Sequence, residues 1–134
     1  MIGLILLALL GVQTPPDPGA RAFQRCAACH SLQPDPRSPA PHLSGVVGRR
    51  AGAVEGFRYS GAMRAAGRRG LVWDEATLER FLADPEAVVP GTDMPFQGGG
   101  AAERAAVIDW LRRQRCSDAT ACDRPRVGLA AAGG

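Results

Sequence analysis

The sequence predicts an all-α domain, and three observations carry that reading. Apolar residues recur at helical spacing in separate segments near residues 19–29, 75–83 and 101–115. Nowhere is there a convincing strand pattern, an internal repeat or a heptad. The connections are long and broken by many of the chain's 11 prolines and 17 glycines. At 134 residues there is room for one domain rather than two. Hydrophobic residues make up 46%, yet only seven are aromatic (four Phe, two Trp, one Tyr) and many of the rest are alanine. Such a chain makes a thin core, and its loops need something to wrap.

Taken in order, Met1 to Val12 is an apolar run followed by the proline-rich segment 14–18. The run is too short to span a bilayer, which takes about 20 apolar residues. It has the length of the apolar part of an export signal. No Lys or Arg precedes it and no clear small-residue cleavage site follows, so a retained membrane-surface anchor is the alternative. Residues 1–18 are therefore assigned to a leader and linker, 19–115 to the folded domain and 116–134 to a flexible tail.

The first helix is expected from Gly19 to Cys29, with Ala22, Phe23, Cys26 and Ala27 on its buried face. Gly19 at this edge lets another helix pass close by, or simply starts its own helix. Pro34, Pro36, Pro39 and Pro41 make 31–45 a surface loop, with His42 facing solvent. Glycine-dense loops follow over 46–52 and 57–61. A short helical turn covers 61–66, and Gly67 to Gly70 breaks it. Asp74 is an N-cap for a helix over 75–83, whose stripe is Leu78, Phe81 and Leu82 and which Pro85 stops. A brief turn over 86–88 leads to a Pro90-Gly91 turn. The last helix runs from about Ala101 to Arg115 and buries Val107, Ile108 and Leu111. Cys116 and Cys122 would pair as a disulfide in an oxidising compartment, with two free thiols as the alternative.

Cys26-Ala27-Ala28-Cys29-His30 carries the chemistry. On a helical turn, residues three apart share a face, and His30 lies one residue further round. Two thiols and an imidazole so arranged suit a haem: each sulfur can add across a vinyl group, and the histidine reaches the iron. A zinc site would need two more ligands at compatible spacing, and His42, Cys116 and Cys122 do not supply a knuckle pattern. A thioredoxin-like pair would need a βαβ context, and no strand run precedes Cys26. A buried haem would also supply the apolar bulk that the alanine-rich core lacks.

With that motif come Pro-x-Leu-x-Gly-Val-Val-Gly-Arg at 41–49, Tyr-Ser at 59–60, Val-Trp-Asp-Glu-Ala-Thr-Leu at 72–78 and Pro-Gly-Thr-x-Met at 90–94. In this combination the chain resembles a class I cytochrome c over about Gly19 to Arg113. The resemblance implies a cytochrome c-like fold, three main helices plus short turns wrapped around one covalently attached haem c. It implies that Cys26 and Cys29 hold the haem, that His30 is the proximal ligand and that Met94 is the distal one. The Pro41 carbonyl would accept the other ring N–H of His30. Arg49, Tyr59 and Trp73 would steady a propionate, Thr92 would contact the cofactor from the ligand loop, and Gly19, Phe23 and Trp110 would form a helix crossing. A methionine can also be a gap filler, and Met63 is the other internal sulfur. Phe81 stands where relatives often carry tyrosine.

The function implied is one-electron carriage between periplasmic or membrane redox partners, by a monomer without small-molecule substrate and not an enzyme. An electron-transfer subunit of a dehydrogenase is a close variant. A haem enzyme or a gas- or peroxide-reactive protein with a labile Met94 is the alternative of another class. The formal charge of +3 arises from sixteen arginines, no lysine and thirteen acids. The arginines are scattered among acids, so a nucleic-acid partner is not expected. Glu86 and Asp93 flank the ligand loop, with Arg21 and Arg25 on the first helix, so a docking face of mixed charge is expected.

Overall fold

The computed structural model describes residues 11, 13–94 and 98–115. Residues 1–10 and 12 of the apolar leader, the segment 95–97 and the tail from 116, with Cys116 and Cys122, lie outside the described residues. The chain folds as α1 (Pro18–Phe23), a 3-10 turn (Cys26–Ala28), α2 (Gly61–Arg68), α3 (Glu75–Ala83), α4 (Pro85–Val88) and α5 (Ala101–Arg113). No strand occurs among the described residues; the pairings His30–Ala40 and Arg50–Val72 are isolated bridges. The fold is all-α, as the sequence predicts.

α1 begins where Asp17 Oδ1 accepts from the amides of Gly19 (2.7 Å) and Ala20 (3.4 Å), with Pro18 in the first turn. This satisfies donors that a helix start leaves unpaired. The helix stops at Phe23, six residues short of the expected end at Cys29. Beyond Phe23 the turns have little left to bury: Gln24, Arg25, Ala27 and Ala28 are exposed and Cys26 is half-buried. The expectation that Ala27 lies on a buried face is thus corrected.

α1 crosses α5 at close range. A Cβ on Gly19 would collide with Trp110 Cβ and the Ala106 carbonyl. One step along, the Phe23 and Trp110 rings stack with centroids 4.9 Å apart. Arg113 of α5 reaches Asp17 at 2.9 Å. α5 buries Val107, Ile108 and Leu111 as expected and ends at Arg113, two residues early.

Ser60 caps α2 by accepting from the Met63 amide at 3.1 Å. The helix runs on to Arg68, past the expected stop at Gly67. Gly67 is buried there against the Ala51 carbonyl, where a Cβ would not fit. Close packing, not helix breaking, explains this glycine. Gly70, at φ +89°, makes the turn that follows. The loop 48–51 is then strapped to 71–73: the amides of Gly48 and Trp73 donate to Trp73 and Arg49 carbonyls at 2.8 Å, and Ala51 N donates to Leu71 O at 2.9 Å.

Asp74 caps α3 by accepting from the Thr77 amide at 2.7 Å, a bond of a kind that contributes about 1 kcal/mol. Leu78, Phe81 and Leu82 are buried, and Phe81 packs on Trp73 with centroids 4.8 Å apart. Pro85 ends α3 and opens α4, one residue ahead of the expected turn. α3 is tied to α5 through Glu79–Arg104 (2.8 Å) and Glu75–Arg112 (3.3 Å).

Candidate functional site

The two thiols sit on the 3-10 turn. The Cys26 carbonyl accepts from both the Cys29 and His30 amides, at 3.1 and 2.8 Å. This tight turn, rather than a continued helix, presents the motif. Neither thiol is in a disulfide. Cys29 is exposed and Cys26 half-buried, and burial pushes the Cys26 thiol above the ordinary range.

His30 is held through one ring nitrogen. Its Nδ1 lies 2.7 Å from the Pro41 carbonyl, a geometry that makes Nδ1 the donor and leaves Nε2 with its lone pair. Burial, opposed by the Pro41 bond, lowers the proton affinity of the ring, and Arg49 lowers it further. A neutral imidazole with a free Nε2 is the form that binds a metal.

The methionine loop is built by short-range bonds. Thr92 N donates to Val89 O at 3.0 Å, and Gly91 takes φ +80° to close the turn. Glu86 Oε1 accepts from the Gly91 amide at 2.9 Å, so this acid clamps the loop. Thr92 Oγ1 accepts from the Met94 amide at 3.2 Å. Met94 is half-buried and packs beside the core, as do Leu32, Leu43, Val47 and Met63.

Arg49 is half-buried. It donates to the His42 carbonyl (2.8 Å) and the Ser44 carbonyl (2.7 Å). No carboxylate among the described residues is paired with it. Its guanidinium draws the 42–44 loop inward, and His42 is only 7% exposed. That corrects the expectation of a solvent-facing His42. Tyr59 Oη accepts from the Val54 amide at 3.1 Å and keeps its own proton to donate. Burial pushes that hydroxyl's pKa up.

Residues that sequence reasoning missed are the clamps around the site. Ser44 is fully buried and its hydroxyl accepts from Gln33 at 2.9 Å; Ser38 holds the Cys29 carbonyl at 3.0 Å. No spacing rule points to either. On the surface, Arg25 meets Glu103 at 3.5 Å, so both charge signs lie beside Cys26.

The donor set fits a haem. Two unpaired thiols share one turn, an imidazole keeps Nε2 available, a thioether sits in a clamped loop, and the half-buried Arg49 suits an acid group. The family model described as Cytochrome c matches residues 16–115. The chain belongs to the cytochrome c family, and it is an electron carrier with one covalently attached c-type haem. It is 45% identical over 92 residues to cytochrome c2 iso-2 of Magnetospirillum fulvum, covering 68% of this chain and 93% of that protein. It is 41% identical over 118 residues to cytochrome c2 of Rhodomicrobium vannielii, covering 85% and 92%. Among solved structures, ferricytochrome c2 from Rhodopseudomonas palustris superposes with a TM-score of 0.67 at 32% identity, over 73% of this chain and 96% of that one.

Proposed function

We propose that the chain carries single electrons between redox proteins of a bacterial periplasm, as a monomer, without catalysing a reaction of its own. The observation that carries this reading is His30, with Nδ1 held by Pro41 and Nε2 left free, opposite in role to a methionine whose loop is clamped at Gly91 and Met94. Cys26 and Cys29 would hold the haem through thioether bonds, and His30 Nε2 and the Met94 sulfur would be the protein's ligands to its iron. When bound, that haem supplies one iron that accepts and releases one electron.

The residues then have separable tasks. Pro41 fixes the ring plane of His30 and raises its basicity. Glu86, Gly91 and Thr92 keep the Met94 loop in place, so that Met94 would stay on the iron and a substrate would find no place there. Arg49, Tyr59 and Trp73 would balance and bind a propionate, the first by charge and the others by their N–H and O–H donors. Thr92 acts through the Met94 backbone, which is the contact that supports its place in the site. The packing of α1 on α5 and the straps on 48–51 hold these groups rigid, and a rigid site exchanges electrons with little rearrangement.

The periplasmic reading is supported by the apolar leader, the c-type attachment and the cytochrome c2 relatives. Among the described residues no helix is long and apolar enough to cross a membrane. The leader, domain and tail boundaries at 18 and 115, and a Cys116–Cys122 disulfide, belong to the same proposal. The visible spectrum of the ferric protein tests the carrier reading against the enzyme reading. A low-spin spectrum with sulfur ligation is expected. A high-spin spectrum would mean an open iron and would favour the enzyme.

A further inference from the structure

The methionine loop is anchored beyond its far end as well as at Gly91, and one arginine of α5 supplies that anchor. Four residues past Met94 the chain returns at Gly98, whose amide donates to the Leu82 carbonyl of α3 at 2.6 Å. Gly99 follows at φ +75°, and its carbonyl accepts from Arg104 Nη1 at 2.5 Å. The Nε of the same guanidinium donates to Glu79 Oε1 of α3 at 2.8 Å. The Arg104 side chain is only 17% exposed. Its stem runs so close to Gly98 that a Cβ there would lie 3.1 Å from Arg104 Cγ. A planar fork of donors thus serves two acceptors at once, tying the return limb of the loop to α3 and α5 together.

α3 and α5 share a second ion pair, and it differs in one respect. Arg112 Nε meets Glu75 Oε1 at 3.3 Å, and its Nη2 donates to Asp109 Oδ1 at 2.7 Å. Neither carboxylate belongs to the methionine loop. One link between these helices therefore carries the loop with it, and the other does not.

We propose that Arg104 is a positioning residue that keeps Met94 on the iron by holding the return limb of its loop. The proposal rests on the electron-carrier reading, in which Met94 is an iron ligand. When the loop swings away, the Gly99 carbonyl leaves Arg104, so only the closed state keeps that bond. An outside ligand binds only molecules from which Met94 has departed, and its apparent affinity scales with their fraction. Removing the Arg104 donors raises that fraction. The loss of one charge-assisted hydrogen bond shifts such an equilibrium about tenfold.

The probe is imidazole, titrated by visible absorbance into the intact haem-loaded ferric protein. Arg104→Met keeps a stem to pack on Gly98 and removes the N–H donors. It should bind imidazole about tenfold more tightly than the native protein. Glu79→Gln, which weakens the anchor of the guanidinium, should shift affinity in the same direction by less. Arg112→Gln should leave it unchanged, although α3 and α5 lose an ion pair there too. An unchanged affinity in Arg104→Met would overturn the proposal. So would an equal rise in Arg112→Gln, which would reduce Arg104 to a tie between helices. Should Arg104→Met fail to fold, Glu79→Gln against Arg112→Gln decides. A native ferric spectrum that is high-spin before any imidazole is added would sink Met94 ligation itself, an outcome distinct from a low-spin protein whose affinity ignores Arg104.

Discussion

Replacing Met94 with alanine is expected to lower the reduction potential by a sizeable part of the roughly 0.8 V that axial ligands command. A thioether favours ferrous iron, so its loss favours the ferric state. The fold should survive, because Met94 is half-buried at the margin of the core and its loop is held independently by Glu86 on the Gly91 amide. Spectroelectrochemistry of Met94→Ala checks both parts. The ferric spectrum should turn high-spin while the far-ultraviolet dichroism stays put. An unchanged spectrum and potential would remove Met94 from the iron and point to Met63, the half-buried sulfur of α2.

Gly19→Ala is expected to destabilise the fold severely. The added Cβ would overlap Trp110 Cβ and the Ala106 carbonyl. Backbone on one side and a stacked indole on the other leave no flexible atom to yield. The two helices must part, which loosens the Phe23–Trp110 stack and the Asp17–Arg113 pair together. Overpacking of this kind costs about 3 kcal/mol, a large share of the stability of any small domain. With a urea m-value of about 2 kcal/mol per molar, the midpoint should fall by roughly 1.5 M at unchanged slope. A midpoint equal to that of the native protein would mean that α1 and α5 do not cross as tightly as described.

How much was legible depended on how local the deciding physics is. α3 was readable to the residue because its cap, Asp74, and its stripe, Leu78, Phe81 and Leu82, lie within one short segment. α5 was readable to within two residues for the same reason. The end of α1 was not, since Ala27 and Ala28 are good helix formers and only the lack of anything to pack on turns the chain there. Gly67 misled by propensity: in sequence it is a breaker, in space it lets α2 touch the Ala51 carbonyl. His42 misled because a loop with four prolines looks solvated, while Arg49, seven residues on, folds it inward. Of the site, the Cys-x-x-Cys-His and Pro-Gly-Thr-x-Met segments were visible as motifs because their spacing is the chemistry. The bonds that hold them, Ser38 on the Cys29 carbonyl and Glu86 on the Gly91 amide, and the buried Ser44–Gln33 bond nearby, carry no spacing signal.

The central claim is that Cys26 and Cys29 hold the haem by covalent bonds, and acidic acetone tests it most directly. Protein matured in a host that attaches haem c is precipitated with this solvent, alongside a Cys26→Ala, Cys29→Ala double variant. The native pellet should keep its colour and the variant should release its pigment to the solvent. Colour that leaves the native protein would contradict the claim.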